Sequence, residues 1–250
     1  MIIRNAADVD ALWRIGRIVA DVLRQMLAAL EPGRTTREID ALGASLLAAA
    51  GARSAPILVY DFPGATCISI NEEVAHGIPG DRVIAAGDVV NVDVSAELGG
   101  YFADTGGTRV IAPSNALKDR LCEASRAALG AAMSVARAGA PINAIGCAIE
   151  QTAGRYGFRS VQNLGSHGVG LTLHDEPDFI QGYDDPRDAR VLEEGMVITI
   201  EPFISTRSRR LREAADGWTL RAGAGNLSAQ YEHTLIITRA EPIVLTAGAF

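Results

Sequence analysis

The sequence contains few cysteines, and the spacing of Cys67, Cys122 and Cys147 matches neither a disulfide framework nor a zinc knuckle. We therefore expect a protein of a reducing compartment, the cytoplasm. No apolar run approaches the roughly 18 residues that a membrane-spanning helix needs. The first residues carry no basic segment followed by an apolar core, so the sequence predicts no signal peptide.

Positive charge is also scarce, since 23 lysines and arginines face 30 aspartates and glutamates and leave a net charge of −7. That balance argues against a general nucleic-acid or anionic-membrane surface. The arginine-rich stretch at residues 207–212 is interpreted as a solvated loop rather than a phosphate site. Hydrophobic residues make up 48% of the 250 residues, enough for the buried core of one large domain or two small ones.

Two pairs of amphipathic helices are predicted, one pair in each half of the chain. In the first half, apolar residues recur every three or four positions over residues 12–30. A capping box formed by Thr35 and Glu38 then starts a second helix. In the second half, similar apolar stripes predict helices over residues 117–135 and 142–156.

Residues 87–104 predict a β-hairpin, because valines alternate with polar residues before a turn that is rich in glycine. Folding the segment about the midpoint of Leu98 and Gly99 places Asp93 opposite Asp104, on the same face. Two carboxylates in this position require a shared proton or a cation if they are buried. An exposed hairpin with solvated aspartates is the alternative, and this pair alone does not decide between them.

The two halves of the chain resemble each other, which predicts a pseudo-two-fold repeat. When the sequence is aligned with itself at an offset of 108 positions, the strand that contains Asp93 aligns with a strand that ends at Glu201. Asp93 then aligns with Glu201, so an acid matches an acid. Asp104 has a corresponding residue in Glu232, on the strand that would close a second hairpin. We therefore expect the two hairpins to pack together and to bring these four acids to one centre.

Four carboxylates in one buried cleft require counter-charge, because removing an anion from water is costly. Two divalent cations would supply that charge, and His167, which has no mate in the first half, is predicted as a fifth ligand. Oxygen-rich ligation with one imidazole suits Mn, Fe, Co or Zn more than calcium. Such a pair of ions can hold a bridging hydroxide and polarise a carbonyl, which predicts metal-assisted hydrolysis.

Seven segments resemble type I methionine aminopeptidases, in the right order and spacing over nearly the whole chain. The resemblance implies a pita-bread (creatinase/aminopeptidase) fold of class α+β, with an antiparallel sheet backed by helices. It implies a single catalytic domain, residues 1–250, whose repeated halves run roughly over 1–112 and 113–250. The segments are Cys67–Pro79, Val90–Asp93, Asp104–Thr105, Ser166–Gly170, His174–Pro177, Ile200–Pro202 and Ser228–Thr234.

The resemblance also implies roles for the predicted metal ligands. Asp104 and Glu232 would bridge the two ions, and Asp93 would complete the ligands of one of them. His167 and Glu201 would complete the ligands of the other ion. Glu201 would in addition pass a proton from the attacking water to the departing amine.

By the same resemblance, His76 and His174 would position the substrate amide and stabilise the tetrahedral oxyanion. Phe62, Cys67 and Trp218 would bind the substrate, although Cys67 could equally be plain core and Trp218 could serve only to cap the core. The implied reaction removes the initiator methionine from new polypeptides whose second residue is small. The expected partner is therefore a peptide N-terminus, with no specific nucleic acid, no membrane and a monomeric protein.

Several residues depart from the family pattern. Ser166 stands where glycine is common, and Leu173 stands where an aromatic residue usually walls the methionine pocket. Pro56 and Val59 also replace common pocket residues. We therefore expect a pocket that has fewer aromatic rings and binds a thioether less tightly. His233 would point to the opposite face of its strand from the preceding acid and is interpreted as structural.

Two other functions fit parts of the pattern. The first is a related dipeptidase that cleaves before proline. Such an enzyme usually resembles this chain only in its C-terminal half, which follows a separate N-terminal domain. His76 lies too near the start of this sequence to leave room for such a domain. A non-catalytic binding protein of the same fold would typically have lost metal ligands, whereas all five predicted ligands are present here.

Overall fold

The computed structural model describes residues 1–250. The predicted capping box is confirmed, since the Glu38 backbone N–H donates to Thr35 Oγ1 and the Thr35 N–H donates to Glu38 Oε2. None of the helices combines the length and the apolar run needed to cross a bilayer. The helices are α1 (Ala6–Ala28), α2 (Thr36–Ala49), α3 (Ala55–Tyr60), α4 (Ala116–Val135) and α5 (Asn143–Arg155).

The strands pair in antiparallel fashion and form four sheets of three to five strands each. Helices and antiparallel sheets together confirm the predicted α+β class. The strands are β1 (Arg53–Ser54), β2 (Cys67–Ile70), β3 (Glu73–Ala75), β4 (Val89–Leu98), β5 (Tyr101–Val110), β6 (Arg159–Ser160), β7 (Gly165–Gly168), β8 (Asp175–Gln181), β9 (Val197–Ile200), β10 (Ile204–Ser205), β11 (Arg212–Glu213), β12 (Leu220–Arg221), β13 (Ser228–Ala229), β14 (His233–Ile236) and β15 (Ile243–Val244).

The hairpin of β4 and β5 forms as expected, but its predicted turn is wrong by one residue. The turn is Gly99-Gly100, with φ values of 62° and 88°, and Leu98 already pairs with Tyr101. A two-residue hairpin turn needs positive φ at both central positions, which two glycines provide without strain and a leucine does not.

This turn changes the register of the hairpin. Asp93 pairs with Gly106 and Asp104 pairs with Ser95, so the predicted direct pairing of the two acids is wrong. The acids are diagonal neighbours on the same face instead, because Asp104 lies two residues from the partner of Asp93. They remain close enough to interact.

The second hairpin consists of β9 and β14, in which Ile200 pairs with His233. Glu201 directly follows β9 and Glu232 directly precedes β14, so both glutamates lie at the same end of this hairpin. β7 and β8 extend the same sheet beyond β9. The sequence predicted loops for residues 165–178, and this prediction was wrong for β7 and β8. Neither strand shows an alternation of apolar and polar residues that would mark it in the sequence.

Each half of the chain has its own apolar core between helices and hairpin. Leu23 of α1 packs in one buried cluster with Val92 of β4, and Leu121 of α4 packs in another with Ile198 of β9. The opposite faces of the two hairpins meet through direct hydrogen bonds. Thr234 Oγ1 accepts from the Asp104 N–H at 2.9 Å and donates to the Asp104 carbonyl at 2.7 Å.

Candidate metal centre

The structure brings the five predicted metal ligands together where the two hairpins meet. Asp93 lies on β4 and Asp104 on β5, while His167 lies on β7, which pairs with β9 in the other sheet. Glu201 and Glu232 complete the group from the end of the second hairpin. All but Asp93 are buried. The cluster therefore places three carboxyl groups and one imidazole out of bulk water, with the half-buried Asp93 carboxyl group beside them.

The side chains form two overlapping groups. The ligand atoms of Asp104, His167 and Glu232 lie within 4.8 Å of one another, and so do those of Asp93, Glu201 and Glu232. Glu232 belongs to both groups. The geometry therefore offers two neighbouring positions for a cation, with one carboxylate shared between them.

Two carboxylate oxygens in this cluster have no hydrogen-bond donor. Asp104 Oδ1 and Glu232 Oε1 are buried, and no protein group satisfies either of them. A buried polar atom without a partner carries a desolvation penalty of about 1–3 kcal/mol, and more when it is charged. Both oxygens lie within the groups described above, so the residues present fit a divalent cation.

The pKa values of the four carboxyl groups show the effect of placing several acids close together in a site with little water. Burial raises the pKa of Asp104 to about 6. Burial, followed by repulsion from neighbouring carboxylates, raises the pKa of Asp93, Glu201 and Glu232 well above the ordinary values. Without a cation, the cluster is therefore stable only if it keeps protons that isolated carboxylates would lose at neutral pH.

His167 is prepared to act as a ligand through Nε2. Its Nδ1 lies 2.8 Å from the Gly168 carbonyl, which can only accept, so the ring proton is on Nδ1. Burial lowers the pKa of His167 to about 3, so the ring is neutral. Nε2 thus carries a free lone pair, and it lies 3.5 Å from Glu201 Oε1.

A buried pair of amides orients Glu232. Gln230 Nε2 donates to Glu232 Oε2 at 2.9 Å, and Asn91 Nδ2 donates to Gln230 Oε1 at 2.8 Å. The bond leaves Oε1 of Glu232 as the buried oxygen of this carboxylate that has no hydrogen-bond partner. In the sequence, Gln230 and Asn91 stand out only as members of motifs, because their contact joins the two halves of the chain.

Gly106→Ala is expected to disturb this amide pair. A Cβ at position 106 would lie 2.3 Å from Gln230 Oε1, closer than real contacts allow. We expect a loss of about 1–3 kcal/mol in the free energy of unfolding, as is typical for overpacking, together with weaker binding of divalent cations. Chemical denaturation and titration calorimetry with Mn²⁺ measure the two effects.

Gly107→Ala is the matched control, since a Cβ there would meet the flexible tip of Leu27 at 3.1 Å and no residue of the cluster. We expect this variant to bind Mn²⁺ as the unmodified protein does. Equal Mn²⁺ affinity in both variants would show that Gln230 does not orient the glutamate.

The cluster forms one side of a cavity of 440 Å³. All five residues predicted to contact substrate line it: His76, His174, Phe62, Cys67 and Trp218. The Phe62 and Trp218 rings meet edge to face with centroids 5.2 Å apart, and Cys67 is buried. Burial lowers the pKa of His76 to about 4, so this ring is neutral as well.

Aromatic side chains other than Phe62 and Trp218 also line this cavity. Pro56 and Leu173 line it as expected, but Val59 packs into the apolar cluster beside Leu173 and does not face the cavity. Tyr60 lines the wall instead, and Phe179 and Phe203 supply two further rings.

Two other residues have clear local roles. Ser166 Oγ accepts a hydrogen bond from the Glu201 N–H at 2.9 Å, so a serine in place of the usual glycine fixes the backbone of a predicted ligand. His233 stacks on Phe250 with centroids 4.7 Å apart and contacts Thr246 Oγ1. This packing agrees with the structural interpretation of His233.

Comparison with known proteins places the chain among metallopeptidases. The model of metallopeptidase family M24 matches residues 10–239. Methionine aminopeptidase 2 of Bacillus subtilis (strain 168) is 43% identical over 247 residues, which cover 98% of this chain and 99% of that protein. Among solved structures, methionine aminopeptidase of Thermotoga maritima has a TM-score of 0.94 and 31% identity, covering 98% of this chain and 99% of that one.

A prolidase of Pyrococcus furiosus is also similar, with a TM-score of 0.79 and 26% identity. The match covers 98% of this chain but 65% of the prolidase. These neighbours share the pita-bread fold, so the fold predicted from the resemblance is confirmed.

Proposed function

Since this chain belongs to metallopeptidase family M24, we propose that it is a divalent-metal-dependent methionine aminopeptidase. The proposed reaction removes the N-terminal methionine from polypeptides whose second residue is small. The observation that carries the proposal is the buried cluster of carboxylates and one imidazole beside the cavity, with two oxygens that no protein donor satisfies. The nearly full-length similarity to methionine aminopeptidases supports the substrate class.

The five clustered side chains, Asp93, Asp104, His167, Glu201 and Glu232, would hold the metal ions. Oxygen ligands with one imidazole suit two ions of Co, Mn, Fe or Zn. When bound, such ions supply Lewis acidity for the scissile carbonyl and lower the pKa of a water molecule. Both halves of the chain contribute ligands, so we propose that residues 1–250 act as one catalytic domain.

Glu201 is the proposed proton carrier. Its carboxylate adjoins both the metal cluster and the cavity, where it can take a proton from the attacking water and give it to the departing amine. The neutral rings of His76 and His174 face the same cavity and would donate to the substrate amide and the developing oxyanion.

The apolar part of the cavity would hold the methionine side chain. The Phe62 and Trp218 rings contact each other in its wall. Cys67, which pairs with Asp93 across β2 and β4, and Leu173 line the cavity as well. Thioethers make favourable contacts with aromatic ring edges. The rings found in this cavity therefore favour methionine more strongly than the sequence alone suggested.

Parallel assays of Met-Ala-Ser and Ala-Pro peptides test the proposal, with the protein loaded in turn with Mn²⁺, Fe²⁺, Co²⁺ or Zn²⁺. We expect release of methionine from Met-Ala-Ser with at least one metal, and much slower release from Met-Lys-Ser. Faster cleavage of Ala-Pro would identify a dipeptidase instead. No cleavage of any peptide would favour a binding protein on the same fold.

A further inference from the structure

The ring of His174 has one protein partner, the hydroxyl group of Tyr60. Tyr60 Oη lies 2.5 Å from His174 Nδ1, with the ring centroids 5.6 Å apart. The His174 ring also contacts the ring of His167, with the two centroids 4.2 Å apart. The other ring nitrogen, Nε2, has no partner in the protein and belongs to a side chain that lines the cavity.

The position of Tyr60 follows from the short helix α3. Val59 packs into the apolar cluster that contains Leu173, and the next residue along a helix points about 100° away. Tyr60 is thereby directed to the cavity wall, where it is 42% exposed. Helix α3 ends directly after it, because Asp61 adopts a left-handed conformation with φ of 53°.

We propose that Tyr60 is a positioning residue that holds His174 in the Nε2–H tautomer by donating its hydroxyl hydrogen to Nδ1. The proposal rests on the proposed function, in which His174 donates to the substrate carbonyl oxygen. A neutral imidazole carries one proton, so Nδ1 can accept from Tyr60 only if the proton is on Nε2. The contact also fixes the rotation of the ring, and a preorganised donor is the kind that stabilises an oxyanion.

If the hydrogen bond between Tyr60 and His174 ran in the opposite direction, the ring proton would lie on the other nitrogen. If His174 Nδ1–H donated to Tyr60 Oη, Nε2 would present a lone pair to the cavity and would repel the oxyanion. The two arrangements place the ring proton on different nitrogens, so the ¹⁵N chemical shifts of the ring distinguish them.

The tautomer can be measured in full-length ¹⁵N-labelled protein loaded with diamagnetic Zn²⁺. We expect the His174 ring to show the two separate ¹⁵N shifts of a pure Nε2–H tautomer. Tyr60→Phe removes only the hydroxyl group and is expected to shift both values toward those of a tautomer mixture. Tyr156→Phe is the control, since it removes a hydroxyl that bonds Glu123 at 3.1 Å, away from the cavity.

Kinetics on Met-Ala-Ser complete the test. We expect Tyr60→Phe to lower kcat about 10-fold and to change KM by less than about 2-fold, because the fixed donor acts in the transition state. Tyr156→Phe should leave both constants unchanged. An Nδ1–H ring in the unmodified protein, or a Tyr60→Phe variant with unchanged ring shifts, would overturn the proposal. Failure of the unmodified protein to cleave would refute the proposed function, while the ring shifts would still decide the tautomer.

Discussion

Glu201→Gln is expected to lower kcat for Met-Ala-Ser by about 10³-fold, the effect typical of removing a general acid–base group. The amide has nearly the volume of the carboxylate, and the hydrogen bond from the residue 201 N–H to Ser166 Oγ is untouched. The fold should therefore be preserved while the proton carrier is lost. Steady-state kinetics at saturating Mn²⁺ measure the loss, and the metal content of each sample separates it from weaker metal binding.

Glu213→Gln provides the matched control. Glu213 lies exposed on β11 and outside the cavity, so the same chemical change there should leave kcat and KM as they are. A metal-loaded Glu201→Gln variant with unchanged turnover would rule out hydrolysis at this site. In that case the observed turnover would have to come from a different site of the protein.

Divalent cations are expected to raise the unfolding temperature of the metal-free protein, and by more at about pH 8 than at about pH 6.5. The cations compete with protons for carboxyl groups whose pKa values are raised by burial, as for Asp104 at about 6. Binding should therefore release protons. Thermal unfolding with and without Mn²⁺ and calorimetry in buffers of different ionisation enthalpy measure both effects.

The sign of the pH dependence follows from the folded and unfolded pKa values. With raised carboxyl pKa values, the folded metal-free protein holds more protons than the unfolded chain above about pH 4, so its free energy of unfolding falls as pH rises. His76 and His167 have the opposite effect, because burial lowers their pKa values to about 4 and about 3. Below about pH 6.5 the unfolded chain holds more protons on these two residues than the folded protein, so they lower the free energy of unfolding there. Above that pH, among these groups, only the carboxyls contribute.

The expected size of the shift is substantial. At a cation concentration of about 100 times Kd, binding adds about 2.7 kcal/mol to the free energy of unfolding. For a protein of this length that corresponds to roughly 5–10 °C in Tm. Asp104→Asn should reduce the Mn²⁺ shift, whereas Glu213→Gln should retain it. A shift that is equal at both pH values, or one without proton release, would contradict the buried cluster as the binding site.

Much of this protein could be predicted from its sequence, because the evidence was local. The Thr35–Glu38 capping box and the apolar stripes of α1, α4 and α5 depend on neighbours three or four positions away. The family motifs identified the resemblance to type I methionine aminopeptidases and the pita-bread fold, and the similarity to known proteins confirms both. The same motifs named the five side chains that the structure brings together.

Two predictions failed because they depended on which residues form a turn and on which side of a helix faces the cavity. The Gly99-Gly100 turn moved the partner of Asp93 from Asp104 to Gly106, since a hairpin register depends on which two residues adopt positive φ. Tyr60 rather than Val59 faces the cavity, because packing on the neighbouring apolar cluster chose the inward side of α3. Neither choice leaves a periodic signal in the sequence.

By itself, the sequence predicted which side chains would carry the chemistry, and it determined how the chain divides into helices and hairpins and which family it belongs to. The tertiary structure alone decided which oxygens lack donors, which nitrogen of His167 is free, and which residues support Glu232 and His174. The reason is physical: residue type and spacing are encoded along the chain. Burial, ring orientation and hydrogen-bond pairing arise only when distant segments pack against one another.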